Sequence, residues 1–288
     1  MKMNLDNFLK DFVVIIGTHG RPDQVKTYNT LRKQGYTGDI ILLLDNEDKT
    51  IEKYKENFKN KCEIVIFDKR ETNKIIDVAD NFPDRRSTIY WRTESFNVAK
   101  KYNKKSFVQL DDDYTDFKYL IKDGKKLLHI KINNLNKVFY HYVEFLQNSN
   151  ITSVAMAQCG EMQGGVYSIY AITGKRKAMN SFFCLTDKPF KFYGKLNEDV
   201  NTYIYLGSIG QIFLTHAYTG LIQAQTQATK GGMTEAYLKY GTYVKSFYSK
   251  IFMPSCIKVQ QTFIFKRLHH RIDWNACVPK ILNEKWKK

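Results

Sequence analysis

Three consecutive aspartates, Asp111, Asp112 and Asp113, are the residues of this sequence whose type and spacing are best suited to chemistry. They follow the short run FVQL at 107–110, which predicts a buried strand. Residues two apart in an extended segment point to the same side, so Asp111 and Asp113 can share one cation while Asp112 points elsewhere. Carboxylate oxygens are the ligands that Mg²⁺ and Mn²⁺ prefer, often together with substrate phosphates. A solvated acidic turn or a helix cap is the alternative interpretation.

Two further groups of polar residues follow later in the chain. Asn197, Glu198 and Asp199 precede a segment, 200–207, that is predicted to be helical. An aspartate there could act as a general base that takes a proton from a hydroxyl group, although Asn and Asp also cap helices without any catalytic role. His216 follows an apolar predicted strand, and it could be a third metal ligand or a structural residue.

The predicted elements that carry these residues alternate between strand and helix. Short apolar runs and segments of helical periodicity succeed each other at 12–17, 23–34, 39–44, 49–60 and 63–67. This alternation is typical of a parallel sheet with right-handed crossovers, which predicts an α/β protein. The carboxyl ends of parallel strands share one edge of the sheet, so the polar residues that follow the strands are expected to converge on one crevice.

Polar residues follow the predicted strands at three places, Thr18 to Arg21, Asp45 and the aspartate triplet. A crevice lined by them suits a nucleoside diphosphate held through a metal ion, with the early loops contacting the base and the ribose. Neither GxGxxG nor GxxxxGKS/T occurs, which excludes the usual dinucleotide-binding and P-loop motifs. Downstream we predict a polar segment, an amphipathic helix and three more strands, at 114–126, 130–147, 154–157, 180–185 and 209–215.

Together these residues resemble the GT-A fold of nucleotide-sugar-dependent glycosyltransferases over residues 12–218. Asp111-Asp112-Asp113 matches the DxD motif of that family, and Asn197-Glu198-Asp199 matches its xED motif. The resemblance implies a Rossmann-like, mostly parallel sheet flanked by helices, a UDP-sugar as donor, and a Mn²⁺ or Mg²⁺ ion. It also implies Asp199, beside Glu198, as the catalytic base of an inverting transfer, although the fold serves retaining enzymes as well.

The resemblance also implies contacts to the donor and to the metal. Thr18 and Arg21 lie in a stretch, THGRP, that looks like the family's opening loop, and Asp45 lies where such enzymes place an acidic residue against the nucleoside. His216 lies where the family's C-terminal histidine ligand is expected. The expected donor-binding residues are Thr18, Arg21, Asp45, Asp111 and Asp112, and the expected metal ligands are Asp111, Asp113 and His216.

The charge of the chain is strongly positive. Lysine and arginine total 45 against 29 aspartate and glutamate, which gives a net charge of +16 over 288 residues. From Met233 to the end, 11 basic and 3 acidic residues give 11 − 3 = +8, with tyrosines and phenylalanines between them. Cations for phosphates and rings for unstacked bases are typical of nucleic-acid surfaces, although a lysine-rich protein with core aromatics is the alternative. We predict a domain at 1–232 and a basic C-terminal extension at 233–288.

This basic, aromatic extension and the compact size look like the bacteriophage and base-J-type DNA glycosyltransferases. That resemblance implies transfer of the sugar to the hydroxymethyl group of a modified pyrimidine in DNA, with the polar stretch 223–232 as a candidate acceptor loop. The alternatives are a GT-A enzyme that acts on a glycan or protein, a basic nucleic-acid-binding module without activity, and a two-metal nuclease, which is less attractive. A phage origin would place the protein in the host cytoplasm.

Other features restrict the class of protein. No run of 18 apolar residues is present, so no membrane span is predicted, and the N-terminal segment lacks the pattern of a signal peptide. Five scattered cysteines without CxxC spacing indicate neither a disulfide framework nor a zinc site, which fits a reducing cytoplasm. The donor sugar, the acceptor pyrimidine and the oligomeric state stay open at this point.

Overall fold

The computed structural model describes residues 4–124, 126–158, 176–223, 241, 243–261 and 268–277. Within them, a nine-stranded sheet has helices on both faces, and a two-stranded hairpin follows near the C-terminus. The strands are β1 (Phe12–Gly17), β2 (Asp39–Asp45), β3 (Glu63–Phe67), β4 (Ser106–Asp111), β5 (Tyr114–Asp123), β6 (Lys126–Lys131), β7 (Ser153–Gln158), β8 (Ser181–Leu185), β9 (Phe213–Gln223), β10 (Ile257–Gln261) and β11 (Leu268–Ile272). The helices are α1 (Leu5–Asp11), α2 (Lys26–Lys33), α3 (Ile51–Asn57), α4 (Lys69–Asn73), α5 (Ile89–Lys101), α6 (Leu135–Gln147), α7 (Glu198–Ser208), α8 (Val244–Phe252) and α9 (Trp274–Cys277).

The large sheet has the strand order β3-β2-β1-β4-β8-β7-β9-β5-β6. β3, β2, β1 and β4 are parallel neighbours. Of the other strands in this sheet, β8 and β5 run antiparallel to β4, whereas β7, β9 and β6 run in the same direction as β4. The α/β class and the mostly parallel sheet flanked by helices, which the sequence predicts, are therefore confirmed.

Two apolar layers hold the helices on the sheet. On one face, the apolar residues of α6, spaced at three and four, pack in a cluster with Val108 and Leu110 of β4. On the other face, Phe107 of the same strand belongs to a cluster that includes residues of α5 and α7. All six residues of β1 are buried, because helices cover both faces of a strand in the middle of a parallel sheet.

Two strands occupy a region where the sequence predicts a polar segment and the start of a helix. β5 and β6 form an antiparallel pair, and α6 begins at Leu135, five residues later than predicted. The buried residues of β5 are Tyr114, Phe117 and Leu120, and a bulge near its start shifts the pairing register. Since strands are recognised by alternation with a period of two, this spacing of three conceals the strand.

The last strand of the large sheet is also longer than its pattern predicts. β9 begins at Phe213 and continues to Gln223, eight residues beyond the predicted end at 215. His216, expected to follow the strand, is therefore inside it, and Gln223 occupies the strand end instead. This difference decides which side chain reaches the edge of the sheet where the aspartate triplet lies.

The C-terminal elements pack on the same side of the sheet as α7. α8 and α9 contact α7, and α8 also contacts both strands of the β10-β11 hairpin. Cys256 and Ile257 are buried in the cluster that contains residues of α7. The boundary at residue 232 stays a prediction. Among the described residues, Cys62, Cys184 and Cys256 are free thiols, and no described helix has the length and apolar character needed to cross a membrane.

Candidate active site

The aspartate triplet forms a tight connection between β4 and β5. Thr27, at the start of α2, supports it: its hydroxyl donates to the backbone oxygen of Asp111 at 2.6 Å and accepts from the backbone N–H of Tyr114 at 2.9 Å. On the neighbouring strand, Gly17 is paired with Asp111, and the Trp91 ring lies directly over this glycine. The triplet is therefore held in place by two adjacent elements.

Asp112 contacts the first loop of the chain, in the turn that follows β4. Its buried carboxylate accepts hydrogen bonds from the Thr18 hydroxyl at 2.6 Å and from an Arg21 Nη atom at 3.2 Å. Thr18, Arg21 and Asp112, which were expected to bind the donor, thus join the first loop to the triplet. Their contact with a donor stays a prediction.

Asp111 is bound to a buried arginine that the sequence did not single out. Arg92 Nη2 donates to Asp111 Oδ1 at 3.1 Å, and Arg92 Nε donates to Glu198 Oε1 at 2.9 Å. Only 2% of the Arg92 side chain is exposed. Burial raises the pKa of Asp111 to about 7, helped by the nearby Asp113 and opposed by Arg92.

The Asp113 carboxylate is only partly satisfied by hydrogen bonds from the described residues. Among these residues its buried Oδ1 has no hydrogen-bond partner, while Oδ2 is 3.5 Å from Nε2 of Gln223 at the end of β9. Burial and the charge of Asp112 raise the pKa of Asp113. A buried, unpaired carboxylate beside a second acidic group fits a divalent cation.

The donor set of such a cation is small. Within the described ranges, no group of three or more His, Cys, Asp and Glu side chains is arranged to hold a metal ion. Mg²⁺, however, is commonly bound by one or two carboxylates together with substrate phosphates. Asp111 and Asp113 fit that requirement, and phosphate oxygens of a bound donor would complete the coordination.

His216 is not brought to these carboxylates. Its ring packs against Tyr142 of α6 with 5.6 Å between centroids, and its Nδ1 is 3.1 Å from the Thr219 hydroxyl. α6 lies on one face of the sheet, whereas Arg92 and Glu198 approach Asp111 from the face covered by α5 and α7. The expectation that His216 is a third metal ligand is thus not supported, because the residue lies inside β9 and on the other face.

The acidic pair lies at the start of α7 and is buried. Asn197, in a left-handed conformation with φ of 57°, precedes it and makes no side-chain cap. Burial and the nearby Glu198 raise the pKa of Asp199 to about 6, against the effect of Arg92. Asp199 Oδ1 accepts from the backbone N–H of Val200 at 2.7 Å. The Asp199 carboxyl group is thus poised to exchange a proton near neutral pH.

The C-terminal elements hold the loop before this pair. The Asn197 side-chain amide donates to the Lys245 carbonyl oxygen and to the Ser249 hydroxyl, both at 3.1 Å. The same amide nitrogen is 3.2 Å from His270 Nδ1. These contacts fix Asn197, so α8 and β11 position the chain that leads into Glu198 and Asp199.

One cavity of about 870 Å³ connects these groups. Asp111, Glu198 and Asp199 line it together with Arg92. Further lining residues come from the ends of β7 and β9, from α8, from the C-terminal hairpin and from α9, and they include Gln158, Gln223, Lys245, His269, His270, Arg271 and Trp274. The structure therefore brings the expected metal-binding aspartate and the expected catalytic pair into one space.

Asp45 lies at the end of β2, in a separate buried cluster. Its carboxylate pairs with Lys69 Nζ at 2.9 Å and contacts His19 Nδ1 at 2.8 Å. Burial raises the pKa of Asp45, but the hydrogen bond from His19 and the charge of Lys69 outweigh it, and the net shift is downward. The hydrogen bond with Asp45 in turn raises the pKa of His19. The contact of Asp45 with a nucleoside stays a prediction.

Comparison with known proteins decides the class of enzyme. The family described as TET-Associated Glycosyltransferase matches residues 12–232. The chain belongs to this family. It is therefore a glycosyltransferase, as its DxD and xED motifs predict. No curated protein matches the chain in sequence.

Solved structures similar to this glycosyltransferase share little sequence with it. Glucosyl-3-phosphoglycerate synthase from Mycobacterium tuberculosis, solved with Mn²⁺ and UDP-glucose, is 10% identical with a TM-score of 0.48, covering 94% of this chain and 91% of that one. GalNAc-T7, solved with UDP, GalNAc and Mn²⁺, is 11% identical with a TM-score of 0.44, and the match covers 74% of this chain and 43% of that one.

Three residues of this glycosyltransferase site were not predicted. Arg92 is the fourth residue of α5, and a basic residue in the first turn of a helix gives no sign of the two carboxylates it meets. Gln223 was assigned to a possible acceptor loop rather than to a strand end next to Asp113. His270 lies in the basic extension, where the only signal was the interleaving of cations and rings.

Proposed function

We propose that this glycosyltransferase moves a sugar from a UDP-sugar to the hydroxymethyl group of a modified pyrimidine in DNA, with inversion at the anomeric carbon. The observation that carries the proposal is the single cavity in which Asp111 lies together with Glu198 and Asp199. Asp111 is suited to bind the metal ion that accompanies the donor, and Asp199 is suited to accept the proton of the acceptor hydroxyl. A single displacement requires both groups in one space.

The proposed acceptor is supported by family and by charge. The family is described by its association with TET enzymes, which generate hydroxymethylpyrimidines, and a hydroxymethyl group is a nucleophile of the kind that sugar transfer needs. The net charge of +16 favours a polyanion such as DNA over a neutral glycan. A base in duplex DNA would have to leave the stack to reach the cavity.

Asp111 and Asp113 would hold the divalent cation, and the unpaired, buried Oδ1 of Asp113 supports this assignment. When bound, the cation offsets the negative charge that develops on the departing UDP. Arg92 contributes a permanent positive charge beside Asp111, and it keeps the Asp111 and Glu198 carboxylates in fixed orientations. These contacts preorganise the charged groups before substrates bind.

Asp199 acts as the base in this proposal. Its carboxylate accepts the proton of the acceptor hydroxyl, and the hydroxyl oxygen forms the new bond to the anomeric carbon. The bond from that carbon to the diphosphate oxygen breaks, and its electron pair leaves with UDP. A pKa near 6, which burial and Glu198 produce, keeps Asp199 ionised at pH 7 yet basic enough to take the proton.

The test is a transfer assay with matched acceptors. The purified protein is incubated with UDP-sugars and Mn²⁺, with oligonucleotides that carry either 5-hydroxymethylpyrimidine or the methylpyrimidine at one position. UDP release, together with the mass of a hexose or pentose added only to the hydroxymethylated strand, is the expected result. Metal-dependent UDP release that is the same with and without DNA would indicate a glycan or protein acceptor instead. Tight DNA binding without UDP release from any donor would favour a binding module.

A further inference from the structure

The cavity extends to one side of Asp111. Thr18 and Asp45, which are expected to bind the donor, lie at the carboxyl ends of β1 and β2, on one side of β4 in the sheet. The cavity instead takes residues from the ends of β7 and β9, on the other side of β4, and from the C-terminal elements. In the proposed inverting displacement the acceptor approaches the anomeric carbon opposite to the leaving group, which makes this cavity the candidate for the acceptor half of the site.

The C-terminal elements give the cavity a wall of rings. The Trp274 indole stacks on Tyr203 of α7, with 5.8 Å between centroids and an interplanar angle of 13°. The rings of His269 and His270 lie 4.3 Å apart, and all four side chains line the cavity. Burial and neighbouring positive groups lower the pKa of His270 to about 3, so its ring is neutral at pH 7.

The same wall carries positive charge. Lys245 from α8 and Arg271 from β11 line the cavity, and Arg271 is exposed. The carboxylates of the cavity come from β4 and α7 instead. Rings with adjacent cations are the combination that proteins use to hold an unstacked base and its flanking phosphates.

We propose that His269, His270, Arg271 and Trp274, together with Lys245 and Tyr203, form a subsite for the acceptor nucleotide. The ring wall receives the unstacked pyrimidine, and Lys245 and Arg271 bind the phosphates beside it. The inference rests on the proposed function for the identity of the acceptor. It adds a region to the site that the family match, which ends at residue 232, does not include.

The test measures DNA binding without a donor, so that it does not depend on catalysis. A fluorescent single-stranded oligonucleotide with one 5-hydroxymethylpyrimidine is titrated with the wild type and with Trp274→Ala and Trp274→Phe variants. We expect Kd to rise about tenfold for Trp274→Ala and less for Trp274→Phe, because a base–aromatic stack is lost only in the first. Phe247→Ala, which removes an exposed ring of α8 outside the cavity, is the matched control and should leave Kd unchanged.

A second variant tests the cations. Arg271→Gln should lower the slope of log Kd against log salt by about 0.7, the value for one phosphate contact to a single strand. Thermal unfolding establishes that each variant is folded, and if Trp274→Ala is not, Trp274→Phe and Arg271→Gln carry the test. The subsite is refuted when the folded Trp274 variants and Arg271→Gln bind the oligonucleotide as tightly as the wild type and with the same salt slope. It is also refuted when Phe247→Ala weakens binding as much as they do.

The outcomes separate this inference from the proposed function. If the protein transfers a sugar to hydroxymethylated DNA and the Kd for DNA is unchanged by the Trp274 and Arg271 substitutions, the subsite is overturned and the proposed function stands. Binding that requires these residues, without transfer from any UDP-sugar, overturns the function and leaves the subsite in place. Both succeed when the Trp274 variants lower transfer through the KM of the oligonucleotide and leave the KM of the donor unchanged.

Discussion

Arg92 donates a hydrogen bond from Nε to Glu198 across 2.9 Å, and this buried contact joins α5 to the start of α7. The same guanidinium donates from Nη2 to Asp111. One arginine therefore connects the two acidic motifs. Within the part of the chain that the structure describes, its Nη1 is buried without a hydrogen-bond partner.

A substitution of Arg92 that keeps the positive charge should lower the rate of transfer while affecting the stability of the fold much less. Arg92→Lys places one ammonium where a planar group bridges two carboxylates, and we expect kcat to fall at least about a hundredfold. Arg92→Met leaves Asp111 and Glu198 as uncompensated buried charges and should cost about 3–5 kcal/mol of unfolding free energy. Kinetics and urea unfolding measure the two effects. Arg32→Lys, an arginine that bridges two backbone carbonyls away from the cavity, is the control.

The assigned base gives a separation between binding and chemistry. Asp199→Asn removes the proton acceptor and keeps the shape, so we expect transfer to fall about a hundredfold or more while UDP affinity changes little. Isothermal titration with UDP and Mn²⁺ and a transfer assay give the two quantities. The exposed Asp187→Asn should alter neither. Weakened UDP binding with intact transfer would contradict the role of Asp199.

The pH dependence follows from the raised pKa of Asp199. A carboxyl group with a pKa near 6 is protonated below that pH and cannot accept a proton, so kcat/KM should fall about tenfold for each pH unit below 6 and level off above it. The rate is measured from pH 4.5 to 8.5, with DNA binding followed over the same range. A fall that begins near pH 7 and moves to lower pH with excess Mn²⁺ would instead assign the titration to Asp111. A rate that stays constant down to pH 4.5 would exclude both.

The metal ligands can be separated by two substitutions. Asp113→Asn should weaken Mn²⁺-dependent UDP binding about tenfold or more, since a carboxylate with an unpaired buried oxygen is lost. His216→Ala should leave that affinity unchanged, because the ring packs on Tyr142 away from the cavity. Titration of UDP with and without EDTA gives the metal-dependent part. The reverse order of effects would restore His216 as a ligand and remove Asp113.

Close packing next to the triplet predicts a loss of stability. A Cβ atom at Gly17 would lie 2.1 Å from Cδ2 of Trp91, and a rigid indole cannot yield to it without moving α5. We expect Gly17→Ala to lower the free energy of unfolding by about 1–3 kcal/mol, as measured in urea. In a Trp91→Ala background the same change should cost much less, and an equal cost in both backgrounds would show that the contact is not the cause.

Much of the fold is predictable because its signals are local. FVVIIG and DIILLL are continuous apolar runs, and a strand in a parallel sheet covered on both faces needs such runs. β5 escapes prediction because its buried residues recur every three positions, and only pairing with β6 and β9 makes that segment a strand.

The site divides in the same way. The order of the chain by itself indicated that the aspartate triplet comes at the end of a buried strand and that Glu198 and Asp199 lie at the N-terminus of a helix. Only the tertiary structure decided that these groups meet, because Arg92 is 106 positions from Glu198 and local periodicity carries no record of so distant a contact. It also decided the position of His216, since the length of β9 and the face on which a side chain lies depend on pairing with β7 and packing against α6.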